Sequence, residues 1–346
     1  MRKLIAIGFT VFLPILMLAN FNNWPTPSEN CSYQFLLKSD STAIVHSDCP
    51  TLKRKCSGKI KWVDGTVYLG GFRFGKPHGK GTITYPNGEF YKGEFSRGYP
   101  EGFGIMEYSD GSFYEGAWTN GFKEGEGIYT FPGGHEYTGE FENDVMNGFG
   151  KIKLISGEYY EGDWKNGLAD GNGEFTRKDG SRFIGKSENG TRNGEGLIIW
   201  ESGDTLIANW ENGILVEEAT YFFSDGTQMV SIWENGELQD DLTYIDSNGN
   251  ELLGSLEIMS HITTENDSKF LATTSEKLPL VFYGFAMEFQ AMQNYELAEK
   301  HLDLAYSIDS PANETPYREM VVQLTANINS ERVNQLMGRS NVLFRF

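Results

Sequence analysis

The chain has 346 residues and a formal net charge of −19. An acidic surface repels phosphate groups, so the charge excludes nucleic acid as a predicted partner and disfavours an anionic membrane surface. The length is sufficient for two domains even without the first 19 residues.

Residues 1–19 are predicted to be a secretory signal peptide or an uncleaved signal anchor. Arg2 and Lys3 precede an uncharged apolar run from Leu4 to Ala19, which is short for a membrane span of about 20 residues. Cleavage near Ala19 releases the protein into the periplasm or cell envelope. Retention tethers it to the outer side of the membrane, because the basic end stays cytoplasmic. Both alternatives predict an exported protein.

Residues 20–57 form a segment that holds all the cysteines of the chain: Cys31, Cys49 and Cys56. Clustered cysteines in an exported chain favour a disulfide, and the odd number leaves the pairing open, with unpaired thiols as the alternative. The spacing lacks the paired Cys-x-x-Cys of a zinc site, so no metal is expected.

From 58 to 250 the sequence repeats itself every 23 residues. Equal spacing indicates one structural unit copied in line, and such units are stable only when they stack. The positions that recur at this spacing, which we call columns, contain aromatic residues and glycines. They contain no catalytic group. The aromatic positions are Tyr68, Phe72, Tyr91, Phe95, Tyr114, Trp118, Tyr137, Phe141, Tyr160 and Trp164. The glycine positions are Gly70, Gly93, Gly116, Gly139, Gly162 and Gly185.

Each repeat is predicted to contain two short strands. Tyr91–Phe95 alternates aromatic or glycine with polar residues, the period of a strand with one buried face. The second strand is predicted at Ile105–Tyr108 and ends at Asp110-Gly111, for which we predict a type I′ turn. The glycines let the aromatic rings lie across them.

The form Tyr-x-Gly-x-Phe/Trp-x-x-Gly-x-x-x-Gly-x-Gly, closed by Asp/Asn-Gly, resembles the MORN repeat. Eight copies span about 68–250, and in the last two Glu217 and Asp240 replace the middle glycine. The resemblance implies a mainly β fold: a MORN-repeat β-hairpin solenoid, which is a long twisted antiparallel sheet. Lipid binding has been proposed for proteins of this family, and the acidity of this chain argues against it.

The last part of the chain is predicted to be a linker, 251–277, followed by a helical cap, 278–346. Phe282, Phe285 and Ala286 recur at helical spacing. The segment resembles one tetratricopeptide (TPR) helical hairpin, with Ala298 and Ala305 at further small-residue positions. A third helix is expected near 317–337. The hairpin either caps the sheet or offers a peptide-binding groove.

Nothing in the sequence predicts an enzyme or a cofactor. Carboxylates beside the aromatic columns would suit sugar handling, but no unique pair stands out. These residues are Glu94, Glu115, Glu140, Glu161 and Asp163. We therefore predict an exported, non-enzymatic scaffold that presents an acidic, aromatic-rich repeat surface to an unidentified protein or peptide. The alternative is an envelope glycan-binding or lipid-binding module, and the glycan reading requires the aromatic columns to face solvent.

Overall fold

A computed structural model of the chain describes residues 32–35, 43–47, 56–255, 265–274, 276–291, 294–308 and 324–326. The fold is mainly β with a few helices near the C-terminus, as predicted. The chain divides into two compact units, Met1–Tyr99 and Pro100–Phe346. The predicted signal segment 1–19, Cys31 and Cys49 lie outside the described residues, and Cys56 is the first residue of a strand.

The first unit contains antiparallel strands, each of which pairs with the next in sequence. They are β1 (Ser32–Phe35), β2 (Ala43–Ser47), β3 (Cys56–Lys61), β4 (Val67–Arg73), β5 (Lys76–Thr84) and β6 (Phe90–Ser96).

Within the second unit, the strands also pair antiparallel with their neighbours in sequence. Its strands are β7 (Tyr99–Glu107, which begins with the last residue of the first unit), β8 (Phe113–Thr119), β9 (Phe122–Thr130), β10 (Glu136–Glu142), β11 (Val145–Lys153), β12 (Tyr159–Lys165), β13 (Leu168–Thr176), β14 (Arg182–Glu188), β15 (Thr191–Ile199), β16 (Thr205–Glu211), β17 (Ile214–Phe222), β18 (Gln228–Glu234), β19 (Glu237–Ile245) and β20 (Glu251–Ser255).

The turns differ from the prediction in type. At Asp110-Gly111 only Gly111 has a positive φ, so the predicted type I′ turn is wrong there. The Asp110 carboxylate accepts a hydrogen bond from the Ser112 backbone N–H at 2.9 Å, which favours a longer loop. The type I′ geometry lies between the two strands of a repeat, where Asn120 and Gly121 have φ values of 51° and 91°.

A β-bulge recurs inside the repeats. The pairing of β8 with β9 shifts register between Gly116 and Trp118, and Gly125 on the facing strand has a φ of 77°. The second strand of a repeat begins earlier than predicted: β7 starts at Tyr99, ahead of the predicted Ile105. The bulge keeps one face of both strands apolar across the irregularity.

After the strands, the described residues include the helices α1 (Glu265–Thr274), α2 (Leu278–Ala291) and α3 (Tyr295–Ile308). The segment predicted as a linker, 251–277, thus contains β20 and α1, and the Phe270 ring lies against Gly254. The predicted helical hairpin corresponds to α2 and α3, which pack on each other. Of the third predicted helix, only 324–326 is described, and it is helical.

Candidate functional site

The aromatic columns lie on one face of the strands, and their side chains are buried. Tyr114 packs edge-on against Trp118 of its own repeat and Phe141 of the next, at ring-centroid distances of 5.2 and 5.1 Å. Such edge-to-face pairs join consecutive repeats. Every predicted aromatic position is at most 7% exposed. These positions are Tyr68, Phe72, Tyr91, Phe95, Tyr114, Trp118, Tyr137, Phe141, Tyr160 and Trp164.

The glycines of the repeats lie directly against the aromatic rings. A Cβ on Gly127, which pairs with Gly116 across the strands, would lie 2.4 Å from Tyr114 Cε2. The Tyr114 hydroxyl donates a hydrogen bond to the Ala117 carbonyl at 2.9 Å. Each predicted glycine faces another glycine: Gly70–Gly81, Gly93–Gly81, Gly116–Gly127, Gly139–Gly150, Gly162–Gly173 and Gly185–Gly196.

The predicted carboxylates lie on the opposite face. In β10, Tyr137 and Phe141 are buried and Glu140 between them is exposed, as strand alternation requires. Some of these carboxylates accept hydrogen bonds from the backbone: Asp163 accepts one from the Asn172 N–H at 2.8 Å. Glu115 and Glu161 lie on the same face of the second unit. In the first unit, Glu94 likewise lies on the face opposite Tyr91 and Phe95. The expectation that rings and acids share one surface is therefore wrong.

In the second unit, α2 and α3 cover part of the aromatic face. Trp233 contacts Phe285 and stacks on His301, with ring-centroid distances of 4.5 and 5.3 Å. A Cβ on Gly284 would lie 3.2 Å from Trp200, so α2 approaches that ring closely. We call the residues under the helices, from Arg177 to Tyr244, the helix-covered surface.

A buried ion-pair cluster fixes α2 to this surface. Arg177 donates two hydrogen bonds to the Glu288 carboxylate and Arg192 donates one, each at 2.7 Å. The side chains of Arg192 and Glu288 are 1% and 0% exposed. Burial alone would raise the pKa of Glu288, but the two guanidinium groups outweigh it and lower that pKa to about 2. The carboxylate is charged at neutral pH.

His301 of α3 is buried in the same interface. Its Nδ1 lies 2.8 Å from the Leu297 carbonyl, and its Nε2 has no hydrogen-bond partner among the described residues. Burial lowers the pKa of His301 to about 4. The imidazole is therefore neutral at neutral pH.

The aromatic face also holds a cation in the repeats that no described helix covers. The Lys123 ammonium lies near four rings, those of Tyr129, Tyr108, Tyr114 and Phe141, at 4.8, 5.5, 5.7 and 5.9 Å. Burial lowers the pKa of Lys123. Within the described ranges it forms no ion pair, and its buried charge is compensated by these cation–π contacts and by the attraction of Asp144.

Comparison with known families identifies the repeating unit. The MORN repeat model matches residues 68–205 as six consecutive copies: 68–90, 91–113, 114–136, 137–159, 160–182 and 183–205. These residues form six MORN repeats. Repeats of this type suggest a protein-interaction module, and MORN proteins are generally non-enzymatic. Residues 206–250, predicted as two more copies, lie outside the match although β16–β19 keep the strand pairing.

Solved structures match only distantly, and no curated protein matches significantly. The SAS-4 (dCPAP) TCP domain of Drosophila melanogaster, in complex with a proline-rich motif of Ana2, is 18% identical over 51% of this chain and 84% of that one, with a TM-score of 0.24. A catalytically inactive virginiamycin B lyase from Staphylococcus aureus is 11% identical over 62% and 89%, with a TM-score of 0.14. Values this low carry no information about function.

The sequence alone did not identify the charged residues on the aromatic face. Arg192 and Lys123 occupy a strand position that is apolar in other repeats, such as Ala169. Glu288 lies three residues after Phe285, within the apolar stripe of α2. A charge inside a buried pattern is the signal that could have identified them.

Other candidate features lead to no site. The described residues contain no cluster of three metal-ligating side chains. Asp246, in a stretch that resembles a calcium loop, accepts hydrogen bonds from the backbone N–H groups of Asn248 and Asn250 at 2.8 and 2.9 Å. None of the helices in the described ranges has both the length and the apolar character that a membrane crossing needs.

Proposed function

We propose that this chain is an exported, non-enzymatic scaffold whose MORN-repeat face binds other proteins. One observation carries the proposal: the aromatic face already binds a helix pair of its own chain. That contact combines ring packing at Trp233 with the buried Arg177–Glu288–Arg192 cluster. A face that accepts helices within the chain has the chemistry to accept a helix or peptide from another protein.

The glycan-binding alternative is less well supported. It requires aromatic columns that face solvent, and these columns are buried with their rings edge-on to one another. A sugar ring stacks on an exposed flat ring face, which such columns do not offer.

Export is part of the proposal and rests on the sequence of residues 1–19. N-terminal sequencing of the protein purified from its host is the direct measurement. A start near Asn20 supports cleavage and release, and an intact Met1 in the membrane fraction supports an anchor. An intact Met1 in a soluble cytoplasmic protein would contradict export and weaken the disulfide prediction with it.

The interaction function is tested by affinity capture with a matched pair of variants. Phe131 is half-buried on the aromatic face, and Ile128 is half-buried on the opposite face of the same repeat. We expect quantitative mass spectrometry of the host envelope fraction to recover at least one reproducible partner. Phe131→Glu should lose that partner and Ile128→Glu should retain it, with both variants first checked for folding by circular dichroism. No reproducible partner, or equal loss in both variants, contradicts the proposal.

A further inference from the structure

The face opposite the aromatic columns changes in chemistry along the second unit. In the regular repeats it carries charged side chains, and Lys151 pairs there with Glu161 at 2.9 Å. One step of 23 residues after Glu161 the position is Ile184, and two further steps give Ile207 and Val230. Solvated charges are therefore replaced by aliphatic side chains at the same strand position.

These aliphatic residues belong to one row that crosses the neighbouring strands β14–β18. The row is Ile184, Leu197, Ile207, Thr220 and Val230, each directly opposite the next in the antiparallel pairing. Ile199 and Phe222 extend the row on the same face of β15 and β17. We call these residues the apolar patch. Because strands lie about 4.8 Å apart, the row is about 19 Å long, which about 13 helical residues span.

The apolar patch is accessible to solvent. Ile207 is 40% exposed, and the other members of the patch are half-buried. Ile232, two residues after Val230 on the same face, is 39% exposed. The helix α2 packs on the other face of this part of the sheet, against Trp200 and Trp233. The apolar patch is therefore separate from the helix-covered surface.

The strands under the patch have the composition of strands that are covered on both faces. An antiparallel strand with one solvated face alternates apolar and polar residues, whereas residues 197–200 and 221–223 are unbroken apolar runs. Ile198 and Phe223 of these runs are buried on the aromatic face. The helices account for the apolar residues of that face alone. A second layer over the apolar patch would account for the others.

The charge around the patch indicates what that layer contains. From 191 to 245, Arg192 is the only lysine or arginine, against eleven aspartates and glutamates. Arg192 lies on the aromatic face, where Glu288 pairs with it. Glu195 and Glu218 are exposed beside the patch, on the same face of β15 and β17. An apolar surface with an acidic rim is complementary to an apolar surface with a basic rim.

We propose that the apolar patch binds an amphipathic α-helix of another protein, with apolar side chains over Ile207 and lysine or arginine beside Glu195 and Glu218. This second surface goes beyond the aromatic-face interaction proposed above and does not depend on it. A helix suits the patch because the same part of the sheet already holds helices on its aromatic face, and helices on both faces of a sheet form a common three-layer arrangement. A second copy of this chain is less suitable, since it would bring further carboxylates towards Glu195 and Glu218.

The direct test uses a labelled synthetic 18-residue helical peptide, with leucine along one face and lysine elsewhere, and the full-length protein. Fluorescence anisotropy is the readout. We expect saturable binding that Ile207→Glu weakens by at least about tenfold, because a carboxylate would be buried under the apolar face of the helix. Ile207→Val keeps the apolar contact and should retain binding. Since Ile207→Glu adds a negative charge, attraction of the lysines alone would strengthen binding, so a loss reports the apolar contact.

Phe149→Glu is the matched control. Phe149 is 52% exposed on the same face but lies outside the patch, and the change adds the same charge. Binding should stay within about twofold of wild type, with all variants first checked for folding by circular dichroism. A second peptide, with glutamate for every lysine and the same leucine face, should bind at least about tenfold more weakly.

Four results would overturn the proposal. They are no saturable binding of the lysine peptide, equal losses in Ile207→Glu and Phe149→Glu, equal binding of the two peptides, and a loss confined to Phe131→Glu, which would place the peptide on the aromatic face. Failure of the envelope capture contradicts the aromatic-face function instead, because the peptide measurement does not involve that partner.

Two further measurements identify the occupant. A concentration-dependent dimer of the full chain in light scattering, abolished by Ile207→Glu, would identify a second copy and overturn the choice of another protein. Co-sedimentation with phosphatidylcholine vesicles, abolished by the same change, would assign the patch to a lipid surface and overturn it equally. We expect a monomer and no co-sedimentation.

Discussion

At the scale of single residues, one backbone position separates the regular repeats from the divergent ones. Gly125 has a φ of 77°, and Glu217 takes the equivalent position four repeats later with a φ of 62°. An L-residue in the left-handed region costs about 1–2 kcal/mol. The divergent repeat therefore already carries a cost that the regular repeats avoid.

This difference predicts opposite sensitivities to alanine. A Cβ on Gly125 would meet only Ala117 Cβ at 3.7 Å, an ordinary contact, so Gly125→Ala tests backbone strain alone. We expect it to lower the free energy of unfolding by about 1 kcal/mol. Glu217→Ala replaces one L-residue by another and should change it by less than about 0.5 kcal/mol. Urea unfolding measures both, and equal losses would contradict the strain argument.

His301 predicts a pH dependence in the weakly acidic range. Its pKa is about 4 in the folded protein and 6.5 as an ordinary histidine, so the unfolded chain binds more protons between these values. Stability should therefore fall as the pH drops from about 6.5 to about 4, by about 3 kcal/mol in total from this group. The difference in unfolding free energy between wild type and His301→Gln, followed across this range, isolates it. Identical pH slopes would show that His301 titrates normally when folded.

At the scale of elements, the ion-pair cluster determines how firmly α2 is held. Glu288→Gln leaves the buried Arg192 guanidinium without its carboxylate counter-charge. Removing one partner of a buried ion pair typically lowers the free energy of unfolding by about 3–5 kcal/mol. We expect hydrogen exchange to speed up across α2 and α3 first. Replacing Arg177, Arg192 and Glu288 together by Met removes the buried charges and should restore most of the stability. A triple variant as unstable as Glu288→Gln would contradict this explanation.

The aromatic columns predict a local response to truncation. Trp164 is 3% exposed, packs on Tyr137 of the preceding repeat at 5.2 Å and donates a hydrogen bond to the Gly150 carbonyl at 3.0 Å. Trp164→Ala should cost about 3–5 kcal/mol. Because each repeat contacts its neighbours, exchange should accelerate in β11–β13 before other strands.

Phe149 provides the control for this prediction. It is 52% exposed and lies opposite Asp163 on the other face of the same strand pair. Phe149→Ala should shift the unfolding free energy by less than about 0.5 kcal/mol. A Trp164→Ala protein with an unchanged melting curve would mean that the column is a surface ladder, contrary to its burial.

At the scale of the whole molecule, periodicity accounts for what the sequence predicted. Columns at a fixed spacing predicted the strands, the buried rings and the glycines under them, because each repeat copies the register of its neighbour. The type I′ turn predicted at Asp110-Gly111 was wrong, since the Asp110 carboxylate accepts a hydrogen bond from the Ser112 N–H and favours a different loop. The docking of α2 was not predictable, because Arg192 and Glu288 are 96 positions apart and the repeat spacing does not relate one to the other.

The separation of rings and carboxylates onto opposite faces gives the second unit a preferred orientation at charged surfaces. A cationic support, such as an anion-exchange resin or an amine-coated sensor, should attract the face that carries Glu115, Glu140 and Glu161. The aromatic face would then point into solution, accessible to ligand. Immobilisation through exposed Lys151, on the carboxylate face, should achieve the same orientation covalently.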